Sequence, residues 1–280
     1  MNPVPSIAFQ GQPGAYSHLA CREAYPGHEP LPCESFEDAF EAVAQGRAAL
    51  GMIPIENSVA GRVADVHHLL PETDLHIVAE HFQAVRHCLL APRGASLAGI
   101  RAVHSHVHAL GQCRKYLREH KLVPHVHADT AGAAADVAKA GNATQAAIAS
   151  RLAAEIYGLD ILEASIEDAQ HNTTRFVVLA KEPGDPDPEA GLVMTSFVFQ
   201  VRNVPAALYK ALGGFATNRV NMVKLESYMI DGSFSATQFY ADIEGHPDNS
   251  SVRMAFEELG FFSRRVKVLG VYPANPFRNR

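Results

Sequence analysis

Along the first sixty residues short apolar runs alternate with stretches whose apolar side chains recur every three or four positions. Runs of the first kind predict strands, and recurrences of the second kind predict amphipathic helices. The order read in this way is strand Ser6–Phe9, turn Gly11–Gly14, helix Ala15–Tyr25, strand Leu31–Glu34, helix Phe36–Ala44 and strand Leu50–Ile55. Such alternation marks a parallel sheet covered by helices. His76–Ala91 reads as one long extended stretch that leaves a first lobe and enters a second. The second lobe alternates again: strand Ala102–His104, helix His106–His120, strand Leu122–His127, helix Thr130–Ala140, strand Ala146–Ala149 and a helix through Tyr157. Arg175–Lys181 is an apolar strand able to return to the first lobe. Two α/β lobes joined by two crossing strands would enclose a cleft, where such sheets take their ligands.

Residues 182–191 hold three prolines, which remove donors and fix φ, so they predict a linker. Beyond it the pattern is strand Thr195–Val201, helix Ala206–Ala216, strand Met222–Met229, turn Asp231-Gly232, strand Ser233–Ile243, helix Ser250–Leu259 and strand Ser263–Tyr272. A βαββαβ order of that length is ferredoxin-like. That topology hosts many roles and names none by itself.

Composition narrows the classes. A chain of 280 residues with 47% apolar content suits a two- or three-domain α/β protein. No apolar run nears the roughly 20 residues of a membrane span, and the N-terminus lacks a signal-peptide pattern, so the expected compartment is the cytoplasm. Cys21, Cys33, Cys88 and Cys113 form no C-x-x-C pair and are expected to be buried thiols. A net charge of −6 argues against nucleic acid as a partner. Residues 1–191 carry 14 Lys/Arg against 23 Asp/Glu, so an anion bound there must be held by local donors.

Four segments place small polar residues at strand-to-helix junctions: Gly11–Ser17, Pro54–Ser58 with Gly61, Ser105–Cys113 and Asn172–Phe176. Hydroxyls, amides and free N–H groups at such junctions favour a small, oxygen-rich anion. Each segment has a plainer reading. Gly11–Gly14 can simply turn, Glu56-Asn57-Ser58 can cap a helix, and Arg175 can be a surface pair residue. His104, His106 and His108, with His125 and His127, suggest a metal, but further ligands are not evident and the segment turns helical after Ser105.

Taken together the segments resemble the prephenate dehydratases. The matching motifs are G-x-P-G-A-Y-S at Gly11–Ser17, P-I-E-N-S-x-x-G at Pro54–Gly61, S-H-x-x-A-L-x-Q-C at Ser105–Cys113, D-T-A-x-A-A at Asp129–Ala134, A-A-I-A-S at Ala146–Ser150 and N-x-T-R-F at Asn172–Phe176. Where the family often has Pro-Gln after Ser-His, this chain has Val107-His108. The tail resembles the family's ACT regulatory domain, with Asn203-Val204-Pro205-Ala206-Ala207-Leu208 in place of N-x-P-G-A-L and Lys224-Leu225-Glu226-Ser227 matching K-x-E-S. Ala206 replaces a glycine, and Tyr228-Met229 replaces the Arg-Pro of phenylalanine-sensitive members.

The resemblance implies a two-lobed, periplasmic-binding-protein-like α/β catalytic domain over 1–181, with lobe I at 1–82 and 175–181 and lobe II at 83–174. It implies a ferredoxin-like ACT domain over 192–280 and the monofunctional form, without a chorismate mutase domain. The expected reaction converts prephenate to phenylpyruvate without metal or cofactor, inhibited by L-phenylalanine, in a homo-oligomer (dimer or tetramer). Thr174 is expected to orient or protonate the leaving hydroxyl, working by hydrogen bonding or relay because threonine is a poor acid. Glu56 is expected to orient, and His106 is a further titratable candidate or a helix-start residue. Tyr16, Ser17, Asn57, Ser58, Gly61, Ser105, Gln112, Thr130, Asn172, Arg175 and Phe176 are the expected substrate-binding residues. Asn203–Leu208 with Glu226 and Ser227 are expected at the effector. Two rivals remain: arogenate as substrate, and a cytoplasmic amino-acid sensor without catalysis.

Overall fold

Strand β1 (Ser6–Gln10) lies between β2 (Glu29–Cys33) and β3 (Leu50–Asn57), all parallel, with helices α1 (Tyr16–Ala24) and α2 (Phe36–Ala44) as crossovers. The fold is that of a computed structural model and describes residues 4–189, 191–229 and 236–279. Ser35 opens α2 through a reciprocal capping box with Asp38. β2 carries Pro30 and Pro32, which suits an edge strand, and Pro54 in β3 stands past Met52, the last residue paired with β1. A short hairpin strand, β4 (Gly61–Arg62), pairs back on β3, and α3 (Ala64–Leu69) follows. β5 (His76–Ala84) completes a six-stranded sheet in which β11 (Thr173–Ala180) lies between β3 and β5.

The second sheet holds β6 (Cys88–Ala91), β7 (Ala102–His106), β8 (Val123–His127), β9 (Gln145–Ala149) and β10 (Asp160–Ala164), in the order β10-β6-β9-β7-β8. β7, β8 and β9 are parallel, whereas β6 and β10 run antiparallel to their neighbours. Its helices are α4 (Val107–Gln112), α5 (Arg114–Glu119), α6 (Thr130–Ala140) and α7 (Arg151–Tyr157). Two expected elements are each broken in two. The helix expected over His106–His120 breaks at Cys113, because Asp168 takes both the Gln112 carbonyl (2.6 Å) and the Lys115 N–H (3.2 Å). The extended stretch over His76–Ala91 breaks at Val85–His87, whose N–H groups go to Asn172 O and the Glu167 carboxylate. β4, α3 and β10 were not foreseen.

After Ala180 the chain forms β12 (Val193–Val201), α8 (Ala207–Thr217), β13 (Met222–Met229), β14 (Ala236–Glu244), α9 (Ser250–Phe262) and β15 (Ser263–Pro273). The sheet order β13-β14-β12-β15 is the ferredoxin-like one. The expected turn Asp231-Gly232 and the first residues of the strand expected from Ser233 lie outside the described residues. Phe197, Phe199, Phe215 and Phe239 pack with Leu259 between the sheet and α8 and α9.

By compactness the chain divides into two units, one up to Val63 with His81–Phe176, the other Ala64–Glu80 with Val177 onward. In the second unit the segment 64–80 covers the sheet face opposite the helices. There Lys267 Nζ donates to Pro71 O and Thr73 O, and His67 meets the Tyr240 ring edge-on at 5.1 Å. Gly270 is required: a Cβ on it would fall on the Ile77 carbonyl. In the first unit a Cβ on Gly14 would come within 2.9 Å of Ala153 Cα, and Gly14 holds φ at +94°. The glycine thus lets the start of α1 close on the start of α7, where Ser150 Oγ donates to Gly14 O.

All four cysteines are free and buried. Burial pushes every one of these thiols up, Cys21 to about 12. A thiol that cannot ionise near neutral pH is a poor nucleophile. The native protein should therefore leave a disulfide reagent unconsumed at pH 7, and release four equivalents only on unfolding. Fast labelling of any one cysteine in the native protein would overturn this.

Candidate active site

Asn57 stands where β3 turns into the β4 hairpin. Its Oδ1 accepts the N–H groups of Val59 (2.9 Å) and Ala60 (2.8 Å), an Asx turn that fixes which side-chain atom is the oxygen. Nδ2 must point the other way, and donates to Asn172 Oδ1 at 2.8 Å and to Thr174 Oγ1 at 3.0 Å. Asn172 is fully buried and donates through Nδ2 to Gln112 Oε1 at 2.9 Å. Ser58 Oγ donates to His171 O and accepts the Thr173 N–H, which ties the hairpin to the start of β11. Motifs far apart in sequence thus meet in one hydrogen-bonded chain.

Two donors face outward from it. The Thr174 hydroxyl has one lone pair occupied by Asn57, and its own hydrogen has no acceptor among the described residues. Gln112 Nε2 likewise has no partner among the described residues. One position further along β11, Arg175 Nη1 donates to Glu56 Oε1 at 3.0 Å, with the arginine side chain 3% exposed and the glutamate 30%. Glu56 therefore balances a buried cation.

Tyr16, at the first position of α1, places its hydroxyl 2.9 Å from Arg86 O and 3.0 Å from His87 Nδ1. Burial, helped by Cys88, Cys113 and Glu167, pushes this phenol well up, so it remains a donor. Ser17 and Thr130, in the first turns of α1 and α6, are half-buried, and their hydroxyls have no partner among the described residues. Gly61 is exposed at φ +84° opposite Asn57 and tightens the hairpin.

Three expected ligand contacts are turned elsewhere. Ser105 has no exposed surface, and its Oγ donates to Ile148 O at 2.6 Å, joining β7 to β9. Phe176 is 1% exposed and belongs to the core of β11. Asn172 acts on Asn57 and Gln112 from a fully buried position. His106 caps α4, its Nδ1 accepting the His108 N–H at 3.3 Å; burial and then His108 push its imidazole down. His104 stacks on His125 at 5.0 Å across β7 and β8, and no set of three metal-ligating side chains occurs among the described residues. His87 was not singled out from the sequence. The contacts that place it come from Tyr16, Gln112 and Glu167, all far along the chain, so no local pattern marks it.

In the second unit a cavity of about 400 Å³ is lined by Asn203, Val204, Ala206–Leu208, Ser227 and Phe239, among others. Pro205 and Glu226 are not among its lining residues, and Glu226 accepts from Lys224 Nζ. Tyr228, which stands where phenylalanine-sensitive members have arginine, faces the other side of β13. It is buried against His67 and His68 because successive strand residues alternate. Ala206 holds φ +62°, where its Cβ costs about 1–2 kcal/mol. Ala206→Gly should stabilise this unit by about 1 kcal/mol, once glycine's extra chain entropy is set against the relieved strain, and so raise its unfolding midpoint. A lowered midpoint in calorimetry would contradict that.

A threonine hydroxyl oriented by an amide, and an amide donor without a partner among the described residues, give this α/β unit groups suited to a small, oxygen-rich ligand. The profile of the prephenate dehydratase family matches residues 7–184. A bifunctional N-acyl-homoserine lactone acylase/prephenate dehydratase of Komagataeibacter europaeus is 54% identical over 280 residues, all of both chains. Arogenate dehydratase/prephenate dehydratase 2 of Arabidopsis thaliana, a chloroplast protein, is 40% identical over 96% of this chain and 73% of its own. The structure of prephenate dehydratase from Arthrobacter aurescens in complex with L-Phe superposes with a TM-score of 0.89 at 28% identity, covering 98% of this chain and 91% of that one. The chain belongs to the prephenate dehydratase family, carbon–oxygen lyases of the hydro-lyase type that serve phenylalanine biosynthesis. That membership sets aside a sensor without catalysis.

Proposed function

We propose that the site around Thr174 converts prephenate to phenylpyruvate, carbon dioxide and water. The observation that carries this reading is the Asn57-held hydroxyl of Thr174, beside the free amide of Gln112. In the reaction the bond from the ring to its carboxylate breaks and carbon dioxide leaves. The electron pair enters the ring, the opposite C–O bond breaks, and the departing hydroxide takes a proton to become water. Thr174 donates its hydrogen bond to that leaving oxygen. Gln112 Nε2, Ser17 and the N–H groups at the starts of α1 and α6 hold the carboxylates, while the Arg175–Glu56 pair joins the neighbouring positions of β11 and β3.

The catalytic domain in this reading spans 1–181, with lobe I at 1–82 and 175–181 and lobe II at 83–174, followed by the linker 182–191. Residues 192–280 form an ACT regulatory domain in a dimer or tetramer. The cavity at Asn203–Leu208 and Ser227 is the proposed site for L-phenylalanine, supported by the ligand named for the Arthrobacter aurescens relative. With Tyr228 turned to the opposite face, its replacement of arginine leaves the cavity wall intact, and L-phenylalanine inhibits. Four buried free thiols suit the cytoplasm, where reductants keep cysteines unpaired. Two further substrates are specific alternatives: arogenate, named for the Arabidopsis thaliana relative, and N-acyl-homoserine lactones, named for the Komagataeibacter europaeus one.

Purified protein is given prephenate, arogenate or an N-acyl-homoserine lactone, with and without L-phenylalanine. Phenylpyruvate from prephenate, slowed by L-phenylalanine, supports the proposal. Phenylalanine formed from arogenate alone replaces the substrate, and release of a fatty acid from the lactone adds the second activity.

A further inference from the structure

The break between β5 and β6 buries one histidine beside the site. His87 is 2% exposed. Its Nε2 lies 2.8 Å from Gln112 Oε1, its Nδ1 lies 3.0 Å from the Tyr16 hydroxyl, and its ring meets that of Tyr16 edge-on at 5.5 Å. The expected substrate-binding set does not include it.

The hydrogen positions on this ring follow from the backbone. Because the Val59 and Ala60 N–H groups both point at Asn57 Oδ1, that atom is the oxygen and Nδ2 is the donor. Asn57 Nδ2 faces Asn172, so the facing atom there is Oδ1, and Asn172 must present Nδ2 to Gln112. Gln112 therefore presents Oε1, and that oxygen can only accept. His87 Nε2 must carry a hydrogen and donate it. Burial pushes the imidazole below its ordinary value, against the pull of the Gln112 hydrogen bond and Glu167, so near neutral pH Nδ1 is bare. The one hydrogen of the Tyr16 hydroxyl has two acceptors within reach on that side, Arg86 O at 2.9 Å and His87 Nδ1 at 3.0 Å, so the tautomer is set by the Nε2 side, where Gln112 can only accept. Gln112 Oε1 is thus clamped between Asn172 Nδ2 and His87 Nε2, which leaves Gln112 Nε2 one direction in which to point.

We propose that His87 is a positioning residue that, as the Nε2–H tautomer, fixes the Gln112 amide and, through Asn172 and Asn57, the Thr174 hydroxyl for the dehydration step. This rests on the reading of the site as a prephenate dehydratase. Without the imidazole donor, Gln112 Oε1 keeps one partner of two and the amide is free to wag. Misplacing a substrate-holding group by about 1 Å can cost roughly 10²-fold.

The test uses the full chain. His87→Phe keeps a ring and removes the donor, and is expected to lower kcat/KM for prephenate by about 10–10²-fold. His87→Gln, which keeps an N–H donor, is expected to recover at least part of that loss. In a Gln112→Ala background His87→Phe should add less than about twofold, since residues acting through one another are not additive. An equal loss in both backgrounds would make His87 a general structural residue and overturn the proposal, as would an unchanged kcat/KM in His87→Phe. Should the variants not fold, nitrogen-15 NMR of the wild-type imidazole, assigned through its contacts with Tyr16, decides: Nε2–H supports the proposal and Nδ1–H overturns it. Wild-type protein inactive on prephenate would instead sink the functional reading, while the tautomer result would stand on its own.

Discussion

Thr174→Ala lowers turnover of prephenate by about 10²–10⁴-fold, the range for a lost proton-transfer or orienting group, in a protein that still folds. The size of the loss follows from the surroundings of the hydroxyl. Asn57 Nδ2 donates to Thr174 Oγ1 at 3.0 Å, which leaves the threonine hydrogen to point away from that amide. A water admitted by the alanine variant could occupy the space but would lack the covalent anchor, and with it the pre-set direction on which electrostatic catalysis depends. Folding should survive because Asn57 keeps Asn172 Oδ1 and the Asx turn as partners. Thr174→Ser retains the hydroxyl and should recover most of the rate, losing only the methyl that restricts χ1. The measurement is steady-state kinetics with circular dichroism as the folding check. Near wild-type turnover in a folded Thr174→Ala protein would remove Thr174 from the chemistry, and equal losses in the Ser and Ala variants would point to the methyl.

Most elements were legible because their apolar pattern was clear. β1 and β9 are continuous apolar runs buried on both faces, α2 buries one side, and local signals such as Ser35 and Gly14 agree with the elements they begin or join. The breaks at Cys113 and at Val85–His87 were not legible, since each is made by a partner far along the chain. Asp168 takes the Gln112 carbonyl, and Glu167 takes the His87 N–H. The same reason separates expected site residues from one another. A motif brings Ser105, Asn172 and Phe176 into the region, but the strand register decides that Ser105 turns to Ile148 and Phe176 into the core. Polar type and motif were readable; direction was not. Gln112 shows the difference sharply, for its role depends on one amide oxygen that accepts from both Asn172 and His87, residues 60 and 25 positions away.

Arg278→Ala is expected to destabilise the second unit by about 3–5 kcal/mol, the range for breaking a buried ion pair from one side. Arg278 reaches Glu80 with Nε at 2.6 Å and Nη2 at 2.8 Å, a two-toothed grip on a carboxylate that has no exposed surface. The cost comes less from the lost attraction than from the carboxylate left behind, which must shed water without its cation. Two features pull the figure towards the lower end. The Asn275 N–H also donates to Glu80, at 3.0 Å, and the arginine is 17% exposed, so water can follow it out. Adding Glu80→Gln to Arg278→Ala removes the stranded charge and should restore part of the loss, whereas a pair that acted only through packing would show no such recovery. Thermal unfolding followed in all three variants measures this. A drop below about 1 kcal/mol for Arg278→Ala, the size of an exposed pair, would show that solvent reaches Glu80. Arg278→Ala should leave kcat near wild type well below its unfolding midpoint, because neither Arg278 nor Glu80 belongs to the hydrogen-bonded chain around Thr174.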